Sequence, residues 1–407
     1  MTLANATEVV RHRADPPGRP APLILAAHGA APPARAPWVP RTTADRAKLA
    51  EAQRTAAALG RRVFGAWHVD PTPRTASLAL GHVLSRLAEH GDTVLDFWLG
   101  NGNHVAPPSS NGLRHIAYGV GPDGHVDLAA AEDLAREFRP SVILCGSSAH
   151  PRRFDFARLR RIADEHEALL VADISAMTAL VAAQVHTNPV DIAHVTVAAT
   201  DEHLGGGDGA MILSGRDASV PFGGNGRTLS QRLGKLVYTS PPDSADLDEL
   251  TAKAGALAMA GSDRFHRIAK HMIRHARTVA TRLRAEGHDL VSGGTDTHLV
   301  LLDLTSRGFT GTAAARVLAT AGISVTPHRV PADPAVEEAA GGLLVSTASL
   351  TQHGCDATGF DACARLLDDA LTALRPDGRG GCLADEPVLN PIRRRATALA
   401  LRYAPQF

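Results

Sequence analysis

Between residues 93 and 215 the chain carries a series of short apolar runs: TVLDFW, HIAYGV, SVILCG, LLVADI, HVTVAA and AMILSG. Each is strand-length and rich in β-branched or aromatic residues. DLAAAEDLAREF and DFARLRRIADEH, which lie between them, repeat their apolar residues every three or four positions and predict helices. Strands that alternate with helices in this way predict an α/β fold, a mainly parallel sheet covered on both faces. A further helical pattern, ADRAKLAEAQRTAAALGRRV, opens the ordered part, whereas residues 1–45, rich in Pro, Arg and Ala without a sustained period, read as an N-terminal arm. The large α/β domain is expected over 46–248, interrupted late by the Gly/Pro-rich stretch GGNGRTLSQRLGKLVYTSPPDSAD. A helical stretch then serves as connector over 249–285, and a smaller C-terminal α/β domain follows over 286–407.

Composition narrows the function classes. Among 407 residues, Lys+Arg and Asp+Glu number 42 each, so bulk charge points neither to nucleic acid nor to an anionic membrane. Aromatic residues at 4% argue against base-stacking platforms. Cys145, Cys355, Cys363 and Cys382 show no CxxC spacing and read as reduced structural thiols. No N-terminal apolar core of a signal peptide and no bilayer-length run is present, so the expectation is a soluble cytoplasmic protein with a small-molecule substrate.

The stretch HVTVAATDEHLGGGDGAMIL, residues 194–213, concentrates polar groups between two apolar runs. In an α/β protein, turns at the mouth of the sheet carry the chemistry. Asp201, Glu202 and His203 are therefore the candidate catalytic residues, with Glu202 or His203 as general base or acid. The glycines that follow suit a tight strand-to-strand return; they form no P-loop, because the Lys-Ser/Thr pair is missing. With 20 histidines, metal binding has to be weighed. Three consecutive polar residues cannot share one helical face, and no HxxxH or HxH spacing lies beside them, so no metal site is expected. A turn of this kind buries little, and exchanging its side chains is expected to change stability only slightly.

Several segments together resemble a known family: SGGTDTHLVLLDL, the middle stretch SVILCGSSAHPRRFDFARLRRIADEHEALLVADISAMTALVAAQVHTNPV, and the C-terminal AGISVTPHRVPADP and GGLLVSTASLTQHG. They are similar to serine hydroxymethyltransferase, the folate-linked member of the fold-type I pyridoxal phosphate enzymes, over roughly residues 60–370. The resemblance implies an aminotransferase-like fold with a large domain, a mainly parallel sheet and a smaller C-terminal domain. It also implies a close homodimer.

It assigns roles residue by residue. Where the family has the lysine that forms an imine with the cofactor aldehyde, this chain has Glu202, preceded by Thr200 and Asp201. A carboxylate cannot form an imine. The lysines of the chain are Lys48, Lys235, Lys253 and Lys270, and only Lys235, beyond the loop, is considered as a substitute. Asp173 matches the aspartate that pairs with the cofactor ring nitrogen, or else it simply caps the next helix. His104 matches the histidine stacked on the ring, or is a solvated turn residue. Ser148 matches a serine near the ring hydroxyl, and Ser77 the phosphate-binding serine at a helix N-terminus, or a plain N-cap. The carboxylate-binding arginine falls on His353, which lacks the bidentate fork, and one cofactor-contacting histidine falls on Ala176 or its immediate neighbours. Leu99 and Val105 fit the folate-contacting segment.

The expected function is therefore an enzyme acting on a small amine, amino-acid-like or one-carbon substrate by acid/base chemistry. Its pyridoxal or pyridoxamine phosphate would be bound without a covalent link, and tetrahydrofolate is a further candidate. An inactive homologue serving as partner or regulator, and a folate- or ligand-binding module, are the alternatives.

Overall fold

The computed structural model describes residues 23–25, 43–99, 105–106, 112–221, 226–234, 244–331, 333 and 340–403. Its centre is an eight-stranded sheet built from β2 (His68–Asp70), β3 (Thr93–Phe97), β4 (Val105–Ala106), β5 (Arg114–Tyr118), β6 (Val142–Cys145), β7 (Leu169–Asp173), β8 (Val195–Ala199) and β9 (Ala210–Ser214). The spatial order is β2-β9-β8-β7-β6-β3-β5-β4. The run β8-β7-β6-β3-β5 is parallel throughout, while β9, β2 and β4 join antiparallel at the edges. β6, β8 and β9 are buried at every position, which is why they read as continuous apolar runs instead of alternating ones. Two core clusters, one on each face, hold the sheet between its helices.

The covering helices are α1 (Thr43–Phe64), α2 (Ala76–Leu87), α3 (Leu128–Phe138), α4 (Phe156–Glu165), α5 (Thr178–Ala182), α6 (Leu229–Leu233) and α7 (Ser244–Ala260). Asp127 and Asp155 start α3 and α4 by accepting from the backbone N–H groups of Ala130 and Arg158. From β3 the chain steps to β5 on one side and, through β6, to β7 and β8 on the other. The carboxyl ends of β3 and β6 thus flank the switch point, the place where a sheet of this type opens a crevice. Ser148 follows β6, Asp173 ends β7 and Glu202 follows β8. Sheet topology alone sets these positions along one rim.

A second core lies in the C-terminal part, around the antiparallel sheet β10 (Asp289–Leu290), β11 (Leu299–Asp303), β14 (Gly342–Ser346) and β13 (Thr326–His328). Around it lie α8 (Asp263–Ala285), α9 (Gly311–Thr320), α10 (Ala348–Gln352), α11 (Ala357–Thr372) and α12 (Glu386–Arg402).

Two readings of the sequence change. The expected connector is two helices, because α7 ends at Ala260 and Ser262 caps α8 by accepting from the Phe265 N–H. Residues 23–25, placed in the arm, belong to the second core. β1 (Leu23–Ile24) pairs in parallel with β12 (Ile323–Ser324), and Leu23 and Leu25 are each 1% exposed. Two buried leucines in a Pro-rich stretch are too short a signal for periodicity to show. All four cysteines are free and buried. Among the described residues, no helix is long and apolar enough to cross a membrane.

Candidate functional site

The turn from β8 to β9 closes on itself. Thr200 donates its N–H to Gly209 O at 2.8 Å and accepts from Gly206 N–H at 2.7 Å. Gly205, Gly207 and Gly209 all adopt positive φ, so this reversal requires glycine. Beneath it lies a lysine. Lys253 of α7 is 1% exposed, and its Nζ donates to the carbonyls of Pro71 at 2.9 Å, Pro73 at 2.8 Å and Ala210 at 3.2 Å. A Cβ on Gly209 would stand 2.4 Å from that Nζ, so glycine is what lets the ammonium pass under the turn. Pro73 O also accepts the Ala210 N–H at 2.8 Å, which ties the loop before α2 to the same point.

Glu202 is partly exposed at the rim. Burial first, then the nearby Asp201 and Asp173 carboxylates, push its carboxyl up to about 8. Asp173 is itself shifted upward, chiefly by burial, against the pull of two bonds from Ser175. Its Oδ1 accepts the Ser175 N–H at 2.9 Å and hydroxyl at 2.5 Å; among the described residues no hydrogen bond reaches Oδ2. One oxygen therefore caps the turn into α5, and the other remains open. Gly146 is needed here, because a Cβ would meet Asp173 O at 2.1 Å.

His203 differs from its expected setting. It is 6% exposed and packs edge-on against His298, with ring centroids 4.8 Å apart. Its carbonyl accepts from Gln352 Nε2 at 2.7 Å. The turn is thus docked on α10 and on the residue just before β11, and replacing His203 costs core packing, contrary to the expectation of a turn that buries little. His353 follows as the exposed C-cap of α10. Ser148 is exposed beyond β6; its neighbour Ser147 takes the local backbone bonds from Ala149 and His150.

Ser77 lies in the first turn of α2 and is exposed, but the cap is Thr75, whose hydroxyl accepts the Leu78 N–H at 3.1 Å. The first-turn amides of Ala76 and Ser77 have no intrahelical partner and lie at the positive end of the helix dipole. Leu99 is 5% exposed in the large core. Val105 begins the edge strand β4, while His104 and Lys235 lie outside the described residues. Ala176, 9% exposed, packs in the large core.

Residues the sequence reading passed over are Lys253, His298, Gln352 and Thr75. A lysine inside the small, apolar stretch TAKAGALAMA was a readable sign of burial. His298 sits within the SGGTDTH motif, whereas nothing in the sequence brings Gln352 to the turn.

Comparison with known proteins gives the kinship. The family model described as serine hydroxymethyltransferase matches residues 45–367. The chain belongs to the serine hydroxymethyltransferase family. A serine hydroxymethyltransferase of Sphingopyxis alaskensis is 35% identical over 359 residues, covering 87% of this chain and 80% of that protein. One of Zymomonas mobilis is 33% identical, covering 84% and 78%, and a serine hydroxymethyltransferase 2 of Burkholderia mallei is 33% identical, covering 84% and 79%. The fold is accordingly that of the fold-type I pyridoxal phosphate enzymes.

Whether the pyridoxal group of this family suits these residues divides by part. The Asp173 Oδ2, without a hydrogen bond among the described residues, suits a protonated ring nitrogen, and the α2 N-terminal amides, which have no intrahelical partner, suit a phosphate. Position 202 carries a carboxyl and Lys253 is committed to three carbonyls below the turn, so among the described residues neither offers a free amine at this point.

Buried histidines give this family member an acid limit. Burial pushes His150, His186 and His194 down to about 4 and His298 well below its ordinary value. Folding favours the neutral rings, so their stabilisation is complete above about pH 6.5 and is lost as pH falls toward 4. His150, wedged against Phe97 and Phe154, has no hydrogen-bond partner on either ring nitrogen among the described residues. Calorimetry is expected to show the melting temperature falling steeply from pH 6.5 to 4. His150→Phe should recover about 1–2 kcal/mol at pH 5; an unchanged pH slope in that variant contradicts the assignment.

Proposed function

We propose that this chain is an enzyme of the serine hydroxymethyltransferase family that works without a covalent lysine anchor. It holds pyridoxal or pyridoxamine phosphate non-covalently and uses Glu202 as acid and base on a small amine, amino-acid-like or one-carbon substrate. The observation that carries this reading is the Glu202 carboxyl, pushed up to about 8 beside Asp173 in the position of the family lysine. A group titrating there both accepts and gives a proton near neutral pH. A decayed site has no need to keep a carboxyl in so costly a place.

Asp173 would pair with the ring nitrogen, Ser148 would serve the ring hydroxyl, and the α2 amides with Thr75 and Ser77 would hold the phosphate. His104 is the proposed stacking residue. When bound, the group supplies an electron-withdrawing ring that acidifies C–H bonds beside an attached amine. Glu202 stores the proton, Asp201 raises its affinity for it, and His203 fixes the turn against His298. His353 offers the substrate carboxylate a weaker partner than arginine. Leu99 and Val105 remain the residues proposed to face a folate. A cytoplasmic homodimer, without metal, nucleic acid or membrane as partner, completes the proposal.

The test is exchange of the glycine α-protons with deuterated water, followed by NMR with pyridoxal phosphate present. Wild type is expected to exchange them, and Glu202→Gln to do so about 100-fold more slowly, the usual worth of a general base. The carboxyl's raised titration also has a sign. Its favourable neutral form is fully kept below about pH 4.5 and lost as pH rises through about 8, so Glu202→Gln should abolish that decline in stability. Exchange undiminished in Glu202→Gln contradicts the role.

A further inference from the structure

Helix α8 carries Arg264, Arg267, Lys270, Arg274, Arg277, Arg282 and Arg284 against a single acid, Asp263, in a chain whose overall charge is balanced. All but Arg282 are exposed. Arg264, Arg267, Lys270, Arg274 and Arg277 follow one another at three- and four-residue steps, so they form one ridge of like charges, which weakens a helix. Arg282 pairs with Glu286; among the described residues none of the others makes an ion pair. A face that merely meets water intersperses both signs. This one does not.

The ridge ends in an open groove of about 650 Å³, the scale of small-ligand sites, lined by Arg277, Thr281 and Arg284 of α8, by Arg152, and by the loop through Gly293 and Gly294. Arg152 is fixed: its Nε donates to Ser292 Oγ at 3.0 Å, one Nη to Ser292 O at 2.6 Å and the other to Asp296 at 3.2 Å. Ser292 itself sits at φ 59°, a left-handed conformation that is costly for a residue other than glycine, and Arg152 holds it there. The groove floor is therefore rigid, strained and free of side chains at two positions. Asp296 also lines it, but its charge is taken by Arg152.

We propose that this groove is a binding site for a compact polyanion of the di- or triphosphate class, gripped by Arg277 and Arg284. These two guanidinium groups start seven residues apart on one helical face, about 10 Å along the axis. That span exceeds a single phosphate or carboxylate and matches a chain of phosphoryl groups. Thr281 places a hydroxyl between them, and the missing side chains at Gly293 and Gly294 let the Arg284 and Arg152 guanidinium groups lie close over the loop, Arg284 Nη1 3.5 Å from Gly293 O. The rest of the ridge steers the anion toward the groove. Nothing in this site draws on Glu202 or its neighbours.

The test is calorimetric titration of the whole protein with sodium tripolyphosphate at about 0.15 M salt, where exposed charges further apart than a screening length of about 8 Å interact weakly. One site per chain is expected, weakened at least ten-fold in Arg277→Ala/Arg284→Ala and changed less than two-fold in Arg264→Ala/Arg267→Ala at the far end of the ridge. ATP binding as tightly as tripolyphosphate identifies the phosphates as the recognised part, while tighter binding adds a nucleoside contact; either supports the site. The absence of a saturable heat overturns the proposal. So does equal weakening in both double variants, the signature of a diffuse ridge for a larger polyanion. Loss of the site on saturation with pyridoxal phosphate also overturns it, because the anion would then be occupying the cofactor pocket.

Discussion

Glu202→Lys is expected to become covalently labelled when it is mixed with pyridoxal phosphate and reduced with borohydride, whereas wild type is not. On the proposed reading, the substitution puts an amine where the family lysine would stand, just beyond the end of β8, with the Asp173 carboxylate nearby. The Asp173 carboxylate helps push the Glu202 carboxyl upward, so a cation at 202 exchanges a repulsion for an attraction. The new ammonium is also partly desolvated, which lowers its pKa toward neutrality and frees the nucleophilic amine. The label should map to the peptide containing residue 202 at close to one per chain. Efficient serine cleavage is not expected, because His353 is a single-point partner for a carboxylate. Should Glu202→Lys take up no cofactor at all, the rim no longer holds a pyridoxal pocket, and the ligand-binding alternative gains ground.

The second large effect is expected at Lys253. Its ammonium joins the loop before α2, the start of β9 and helix α7 through three carbonyls. Lys253→Met fills the same volume and withdraws the donors. Pro73 O keeps its bond from Ala210, while Pro71 O and Ala210 O lose the lysine's. Buried acceptors left without a donor make a loss of about 3 kcal/mol the expectation, read as a shift in denaturant midpoint. Because the clamp positions the N-terminus of α2, affinity for pyridoxal phosphate should fall about ten-fold, as expected for roughly 1.4 kcal/mol of lost phosphate binding. Lys253→Arg, with its wider head, cannot reproduce the three-carbonyl geometry and should recover little. A variant with wild-type stability and wild-type affinity contradicts this role.

How far the sequence foretold this arrangement depends on the range of the interactions. Strand identity was legible because burial on both faces forces unbroken apolar runs, and β6 through β9 fall where VILC, LLVAD, VTVAA and AMILS predict them. The rim position of Asp173 and Glu202 followed from that alone, since each lies at or just beyond the carboxyl end of a strand. Strand order did not follow: nothing local tells β3 to pair with both β5 and β6. The polar turn at 200–209 looked like a surface feature, yet His203 is buried, because its partners His298 and Gln352 come from the C-terminal part of the chain. Lys253 was visible as a lysine in a small-residue helix, but its target carbonyls could not be read. Ser77 against Thr75 shows the finer limit, because two hydroxyl residues at the start of one helix are separated only by geometry.

The most direct measurement titrates wild-type protein with pyridoxal phosphate, following absorbance and equilibrium dialysis, and then reduces the mixture with borohydride for intact-mass analysis. The predicted result is saturable binding of one cofactor per chain that dialyses away completely, with no stoichiometric pyridoxyl mass on the protein after reduction. A stoichiometric covalent adduct on any lysine, Lys253 or Lys235 above all, or no binding at all, would contradict a pocket that has kept its cofactor and given up its anchor.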